Sequence, residues 1–303
     1  MSTPPSASGM ARNAVFLISP GAGSGRAEGR LIKLLYQNRS YLGGYQLELV
    51  RSVEEATDVL MGLAPEQVPV AVGGDGTVGM IASALWVGGF SSVPLAIVPL
   101  GTANVLANAL GILSPSHGLR ALKEGKVAEV DVIRTSHPKT PIAVASISAG
   151  FEGRFLGVYA RTRRWGRLLA AFAGSPHLIR ERDQINLELD GESVIEPGAI
   201  PFGAGLYNTP GYAPGIAMSP QADVHDGIAE SIVFENARTY LRALCDGARG
   251  RVAPERSGAA RRPWRKAILE STGPLQIDGE TLPPGELTAL VVRGGLRVST
   301  PRS

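Results

Sequence analysis

The chain has 303 residues, a formal net charge of +3 and 44% hydrophobic residues, which describes an ordinary globular protein of one or two domains. Its single cysteine, Cys245, excludes an internal disulfide, and one cysteine with four histidines excludes a Cys/His zinc cluster. The first ten residues lack the apolar run of a signal peptide, and no stretch of about eighteen uninterrupted apolar residues occurs. We therefore expect a cytoplasmic protein.

Residues 1–130 alternate short apolar runs with helical patterns, which predicts an α/β domain built on a parallel sheet. The predicted strands are 14–18, 46–50, 68–72 and 94–98, and the predicted helices are 27–36, 54–63, a segment through 80–85, and 105–110. Turns that follow the strands of such a sheet line a ligand crevice. We expect the nucleotide-binding function of the chain in this domain.

Residues 131–303 show the alternation that is typical of half-buried antiparallel strands, and we predict a β-rich second domain there. Predicted strands include 185–189, 228–234, 275–277 and 287–292, with Asp-Gly turns at 190–191, 226–227 and 278–279. Residues 158–172 have a helical, arginine-rich pattern, and residues 246–266 are predicted to form a loop.

Three turns in the first domain place glycines and a hydroxyl or amide residue between a strand and a helix, at 21–25, 73–77 and 101–104. Such turns expose backbone N–H groups at the positive end of a helix dipole, where a phosphate can approach. One such turn alone is more often a tight connection. Three at consecutive turns favour a phosphate site.

The turns exclude two common nucleotide motifs. Arg26 takes the place of the last glycine in a dinucleotide fingerprint, and no Gly-Lys-Ser/Thr sequence follows any of the turns. Asp75 lies among glycines at the second turn, where it would repel a bare phosphate unless a divalent cation lay between them. The sequence therefore favours a magnesium nucleotide over a nicotinamide cofactor.

Four segments carry a family resemblance: GGDGT at 73–77, PLGTANVLANALGI at 99–112, YNTPGYAPGIAMSPQADVHDGIAESIVF at 207–234 and IDGE at 277–280. In this order they resemble the bacterial diacylglycerol kinase-like lipid kinases, relatives of sphingosine and ceramide kinases. The resemblance implies an α/β nucleotide-binding domain, a C-terminal β-sandwich domain and an active site in the interdomain cleft. It also implies ATP and Mg²⁺ as cofactors and transfer of the γ-phosphate to the hydroxyl of diacylglycerol or a related lipid.

Site residues follow from the same resemblance. It implies that the nucleotide phosphates are held by Gly73, Gly74, Asp75, Gly76, Thr77 and Thr102. It makes Asp278 the general base, and it places a structural magnesium at Asp226 with backbone carbonyls near Asp223 and Ile228. From the residues alone, the Asp-Gly pair favours a turn role for Asp278, whereas a turn role and metal binding are about equally supported for Asp226.

The sequence departs from the family pattern at three positions. The family often has Asn-Pro where this chain has Ser19-Pro20, an aspartate where it has Val105, and an asparagine where it has Ala145. Without an acid at Val105, Asp75 and Asp131 are left to organise a water and Mg²⁺ network. These departures bear on substrate and catalytic efficiency more than on fold.

The net charge lies entirely in residues 131–303, because residues 1–130 hold nine basic and nine acidic residues. The basic residues cluster around Trp165 (Arg161, Arg163, Arg164 and Arg167) and around Trp264 (Arg249, Arg251, Arg256, Arg261, Arg262, Arg265 and Lys266). This suits peripheral contact with anionic phospholipid, at the membrane surface that holds a lipid substrate. A solvated basic face, or pairing with the domain's own acids, explains it equally well.

Other functions stay open at this point. An NAD kinase-like enzyme shares the GGDGT turn, and a non-catalytic nucleotide- or lipid-binding regulator would keep the same fold. Nucleic acid is not an expected partner, because aromatic residues are few and no recognition motif occurs. The oligomeric state, including a homodimer, is not fixed by the sequence.

Overall fold

The computed structural model describes residues 13–21, 27–38, 44–124, 126–162, 180–250 and 260–301. The chain separates into two compact units. Unit 1 comprises Met1–Val132, Lys139–Val144 and Arg293–Ser303, and unit 2 comprises Ile133–Pro138 and Ala145–Val292. The chain therefore passes between the units several times, and its last residues belong to the first unit.

Unit 1 is built on a parallel sheet, as the alternation of apolar runs and helical patterns predicts. Its strands are β1 (Asn13–Ile18), β2 (Gly44–Leu49), β3 (Val68–Gly73) and β4 (Ala96–Pro99), in the order β2-β1-β3-β4. Its helices are α1 (Ala27–Gln37), α2 (Val53–Met61), α3 (Asp75–Val87), α4 (Val105–Ala109) and α5 (Pro115–Glu124). The predicted α/β character of this part of the chain is confirmed.

The burial of three strands of this sheet explains why they form where they do. β1, β3 and β4 are almost entirely buried, and Phe16, Val70 and Val98 are 0% exposed. Continuous apolar runs of this kind suit parallel strands that are covered on both faces. Leu31 and Leu35 of α1 pack on one of those faces. The sheet thus forms a rigid base whose carboxyl ends carry the glycine turns.

Unit 2 contains an antiparallel sheet with the order β14-β13-β10-β7-β16-β17. Its strands are β7 (Ser146–Gly150), β10 (Gly203–Tyr207), β13 (Ala229–Phe234), β14 (Ala260–Trp264), β16 (Leu275–Ile277) and β17 (Glu280–Leu282). The helices of this unit within the described ranges include α6 (Phe151–Thr162) and α7 (Ala237–Ala248). A small hairpin joins β11 (Gly211–Ala213) to β12 (Ile216–Ala217). The predicted β-rich, antiparallel character is confirmed for these residues.

A third sheet has the order β6-β5-β18-β15-β8-β9. Its strands are β5 (Lys126–Thr135), β6 (Ile142–Ala143), β8 (Ile185–Leu189), β9 (Glu192–Ser193), β15 (Lys266–Ser271) and β18 (Gly285–Thr300). The predicted strand 287–292 lies within β18 and pairs with β15. The strand that follows the Asp278-Gly279 turn and pairs with β16 is β17, which has only three residues and shows no pattern in the sequence.

Two further segments differ from expectation. The predicted loop 246–266 begins inside α7 and ends as β14, so only its middle, residues 251–259, falls outside the described part of the chain. The predicted helix 158–172 is described as far as Thr162, and its remaining residues lie outside the described ranges. Within those ranges, no helix has the length and apolar character that crossing a membrane requires.

Candidate nucleotide-binding and catalytic residues

The turn after β3 exposes the start of α3. Gly74 is the N-cap residue of this helix, and no side chain caps it. The N–H groups of Thr77 and Val78 both donate to the Gly74 carbonyl, at 3.0 Å each. A helix N-terminus without a side-chain cap offers its first N–H groups and the positive end of its dipole to an anion. The first turn of α3 can therefore receive a phosphate.

The turn after β4 packs directly against this loop. The carbonyl of Gly73 accepts the N–H groups of Leu100 (2.9 Å) and Gly101 (3.1 Å). A β-carbon on Gly101 would overlap the Cα of Gly74, so this approach requires glycine. The structure thus brings together two turns that the sequence identifies separately.

Asn104 stabilises the turn after β4. Its backbone is left-handed, with φ 51°, a conformation that asparagine adopts more readily than most residues. Its side chain closes a ring with Gly101, because Oδ1 accepts the Gly101 N–H (3.0 Å) and Nδ2 donates to the Gly101 carbonyl (3.2 Å). Thr102, between these two residues, is exposed. Its hydroxyl is accessible to a ligand beside the start of α3.

Asp75 has a local role that the sequence does not reveal. Its Oδ1 accepts the N–H of Leu106 at 3.1 Å, so its carboxylate lies at the N-terminus of α4. Burial raises the pKa of Asp75 above its ordinary value, while the backbone N–H groups of Leu106 and Val105 act to lower it. Val105, which replaces the aspartate of the family pattern, is buried in the first turn of α4. The acid among the glycines therefore joins the two turns.

Other predicted residues of unit 1 are placed differently. Of the first glycine turn, residues 22–26 lie outside the described part of the chain, so its predicted phosphate contact stays a prediction. Asp131 is 1% exposed, and its Oδ1 accepts the N–H of Gly294 at 2.7 Å. This bond joins β5 to β18 within unit 1.

Asp278 lies in the two-residue turn between β16 and β17. Its φ of 48° and that of Gly279, 87°, are the pair of positive values that a type I′ turn requires. Its carboxylate faces the start of β7, because Oδ1 accepts the N–H groups of Ala145 (2.8 Å) and Ser146 (3.0 Å). Asp278 is thus a turn residue whose carboxylate is fixed by two backbone bonds. Its role as a base stays a prediction.

The predicted structural metal site lies in the loop before β13. Asp226 Oδ1 accepts the N–H of Ile228 at 3.0 Å, and Asp223 Oδ1 accepts the N–H of His225 at 3.1 Å. Both carboxylates belong to exposed residues. No group of three or more His, Cys, Asp and Glu side chains in the described ranges is placed to hold a metal. A metal here would depend on Asp226 and backbone carbonyls, as the prediction states.

A buried acid in unit 2 was missed by the sequence analysis. Glu152, in the first turn of α6, is 3% exposed, and the Tyr207 hydroxyl donates to its Oε1 at 3.3 Å. The hydroxyls of Ser148, Tyr212 and Tyr240 also face this carboxyl, and burial raises the pKa of Glu152. Nothing in the sequence connects Glu152 to tyrosines that lie 55 to 88 positions away.

The basic clusters are only partly described. Trp165 and the basic residues 163, 164, 167, 251 and 256 lie outside the described residues, as does the Arg161 side chain. Trp264 is 1% exposed, so the expectation that it contacts a membrane is wrong. Its neighbour Arg262 is exposed and pairs with Glu192, with Nη1 and Oε2 3.6 Å apart. Pairing with the domain's own acids therefore accounts for part of this cluster.

Comparison with known proteins finds similarity to lipid kinases. Residues 13–135 match the model of the diacylglycerol kinase catalytic domain. A "Probable lipid kinase YegS-like" protein of Xanthomonas euvesicatoria is 29% identical over 222 residues, 70% of this chain and 71% of the relative. One of the same name from Cronobacter sakazakii is 28% identical over 270 residues, 84% of this chain and 83% of the relative.

A solved structure shows the same fold. The crystal structure of a diacylglycerol kinase from Bacillus anthracis superposes with a TM-score of 0.69 at 16% identity, and the match covers 95% of this chain and 97% of that one. Residues 13–135 thus match the diacylglycerol kinase catalytic domain, and the chain is similar over most of its length to bacterial proteins named as probable lipid kinases.

Proposed function

We propose that this protein is an ATP- and Mg²⁺-dependent lipid kinase that transfers the γ-phosphate of ATP to a hydroxyl of a diacylglycerol or a related lipid at the membrane surface. The observation that carries the proposal is the packing of Gly74 against Gly101. This packing sets the uncapped start of α3 beside the exposed hydroxyl of Thr102. The similarity to proteins named as probable lipid kinases supports a lipid as the acceptor.

Unit 1 would bind the nucleotide. Phosphoryl transfer needs positioned phosphates and stabilised charge more than covalent help from the protein. The N–H groups of Gly74, Asp75 and Gly76 are the candidates for holding the phosphates, with the Thr102 hydroxyl as a further donor. Thr77 is 7% exposed and donates its N–H to Gly74, so it serves mainly to shape the turn.

Mg²⁺ would supply positive charge to the phosphates when it is bound. A nucleotide-bound Mg²⁺ keeps several waters and usually takes only one or two protein carboxylates, and the donor chemistry of Asp75 fits this role. Because its Oδ1 already accepts the Leu106 N–H, Asp75 would hold the ion while keeping the two turns joined. Val105 offers no second carboxylate.

Unit 2 would supply the base. The Asp278 carboxylate is oriented by the N–H groups of Ala145 and Ser146, and it would accept the proton of the lipid hydroxyl. A carboxylate suffices because proton loss comes late when the transition state is dissociative. Ala145, where the family often has asparagine, contributes through its backbone N–H. The predicted location of the active site in an interdomain cleft stays a prediction.

The test is a transfer assay with purified protein, γ-labelled ATP and Mg²⁺. Mixed vesicles present diacylglycerol, monoacylglycerol, a sphingoid base or phosphatidylglycerol, and NAD is offered in parallel as a soluble acceptor. We expect one or more labelled phospholipid products and no labelled NADP. Labelled NADP without any lipid product would overturn the proposal in favour of a soluble acceptor, and the absence of every product would favour a non-catalytic binding protein.

A further inference from the structure

Helix α7 turns a row of basic side chains outward. The helix is fixed at its start by Asn236, whose side chain accepts the N–H groups of Arg238 and Thr239. Its inner side buries Thr239, Tyr240, Ala243 and Gly247. Residues three, four or seven positions apart share one side of a helix, and the opposite side carries the exposed residues Arg238, Leu241, Arg242, Cys245 and Arg249. We call these five residues the α7 basic face.

The packing of the inner side determines which residues face outward. A β-carbon on Gly247 would overlap the carbonyl of Ala217, so the last turn of α7 lies directly on β12. Tyr240 packs with Phe202 and Phe234 in a buried cluster. The helix cannot rotate about its axis without breaking these contacts. The α7 basic face is therefore a fixed feature of unit 2.

The arginines of this face form no ion pair with the described part of the chain. Arg51, Arg154 and Arg262 pair with acids there, whereas Arg238, Arg242 and Arg249 do not. The acids nearest to them in sequence are Glu235, which is exposed before the helix, and Asp246, which is partly buried within it. The positions of these guanidinium groups thus suit a partner that brings its own negative charge.

We propose that the α7 basic face docks the protein on an anionic phospholipid bilayer. The choice of a bilayer rests on the proposed function, because a lipid acceptor brings the enzyme to a membrane surface. Guanidinium groups bind phosphate with two parallel hydrogen bonds. Leu241, 55% exposed beside Arg242, supplies the apolar side chain that an interfacial helix inserts below the head groups.

This location differs from the one that the sequence suggests. Trp264 is buried, and Arg262 is paired with Glu192, so that part of the predicted cluster cannot supply an interfacial tryptophan. Arg249 is the one member of that cluster that lies on the α7 basic face. In this part of the chain the proposed contact is therefore centred on α7, while the cluster around Trp165 lies outside the described residues and stays a prediction.

The native cysteine makes the contact observable. Cys245 is the single cysteine of the chain and is exposed on the α7 basic face, so an environment-sensitive fluorophore can be attached there. We expect a blue shift with phosphatidylglycerol-rich vesicles and none with pure phosphatidylcholine vesicles. The matched control carries Cys245→Ser and Lys33→Cys, which moves the fluorophore to an exposed position on α1. An equal shift at both positions, or no shift at Cys245, would overturn the proposal.

Charge reversal tests the arginines directly. In Arg238→Glu/Arg242→Glu we expect partition into phosphatidylglycerol-rich vesicles to fall by about tenfold or more, since each basic residue near an anionic surface contributes substantially to binding. Arg30→Glu/Lys33→Glu, on exposed positions of α1, makes the same charge change and should retain most of the binding. Equal binding by wild type and the α7 variant, or equal loss in both variants, contradicts the proposal.

The docking proposal and the kinase proposal can be tested independently of each other. If docking is right, the α7 variant loses phosphorylation of lipid presented in anionic vesicles but keeps phosphorylation of the same lipid dispersed in neutral detergent. If the wild-type protein phosphorylates no lipid in either form yet the Cys245 fluorophore still reports vesicle binding, the kinase proposal fails while docking stands. Normal turnover on anionic vesicles by the α7 variant overturns docking and leaves the kinase proposal intact.

Discussion

Gly101 approaches Gly74 so closely that a β-carbon on Gly101 would overlap the Cα of Gly74, and a β-carbon on Gly74 would lie only 3.0 Å from the Cα of Gly101. This contact joins the turns after β3 and β4, which lie side by side because the two strands are neighbours in the sheet. The proposed phosphate site at the start of α3 depends on it.

We therefore expect Gly101→Ala to separate the two turns. Forcing a methyl group into this contact should lower the free energy of unfolding by about 1–3 kcal/mol and weaken ATP binding. Gly29→Ala is the matched control, because Gly29 lies in α1 with nothing near its missing β-carbon, where alanine favours the helix by about 1 kcal/mol. Urea denaturation and ATP titration measure both effects. A Gly101→Ala protein with unchanged stability and ATP affinity would contradict the arrangement.

A second prediction separates the two roles of Asp278. Asparagine tolerates left-handed backbone and keeps an oxygen for the N–H groups of Ala145 and Ser146, so Asp278→Asn should preserve the turn. If Asp278 is the base, turnover with lipid should be abolished, while the dissociation constant for ATP stays nearly unchanged. Single-turnover assays and ATP titration distinguish these effects.

Asp190 provides the control for this experiment. It also lies in an Asp-Gly turn with φ 51°, and its Oδ1 accepts the N–H groups of Arg265 (3.2 Å) and Lys266 (2.8 Å). Asp190→Asn makes the same chemical change in the same local geometry and should leave turnover intact. Unchanged turnover in Asp278→Asn would reduce Asp278 to a turn residue.

A third prediction concerns the pH dependence of stability. Burial raises the pKa of Glu152 above its ordinary value, so the folded protein holds a proton that the unfolded chain releases. The free energy of unfolding should therefore fall as pH rises from the ordinary pKa of glutamate to the raised pKa, by at most about 1.4 kcal/mol per pH unit. Above the raised pKa, this contribution should become constant.

Glu152→Gln should remove this decrease in the free energy of unfolding with rising pH. A neutral amide resembles the protonated carboxyl that the surrounding hydroxyls accommodate. Glu286→Gln, on an exposed position of β18, should keep the wild-type profile. Denaturation midpoints measured at intervals across the acidic to neutral range give both curves. A wild-type decline that persists unchanged in Glu152→Gln would assign the pH dependence to other groups.

The sequence predicts the sheet of unit 1 well because the signals for it are local. Apolar runs bounded by glycine turns locate β1 and β3 within one residue of their observed ends. The glycine turns are also recognisable because their signals are local. A local signal cannot show, however, that Gly74 contacts Gly101. That contact depends on β3 and β4 being neighbours, which is a property of the sheet order.

Contacts between distant parts of the chain could not be predicted in this way. Asp278 is 133 positions from Ala145, and its Asp-Gly signal describes the turn but not what the carboxylate faces. The Asp75 carboxylate likewise accepts the N–H of Leu106, 31 positions away. The sequence predicts a cation beside Asp75, but a backbone N–H group already supplies part of the hydrogen bonding of its carboxylate. In both cases tertiary packing, which leaves no periodic trace in the sequence, decides the role of the side chain.

The last prediction concerns the structural magnesium at Asp226. If the ion is bound there, millimolar Mg²⁺ without nucleotide should raise the Tm of the wild-type protein, by about 2–4 °C for each kcal/mol of binding energy. Asp226→Asn should abolish the rise because its carboxylate is the one charged ligand. Asp223→Asn is the control, since Asp223 would contribute only its backbone carbonyl and should keep the response. An equal Mg²⁺ response in the two variants, or none in the wild type, would leave Asp226 as the residue that closes the turn onto the Ile228 N–H.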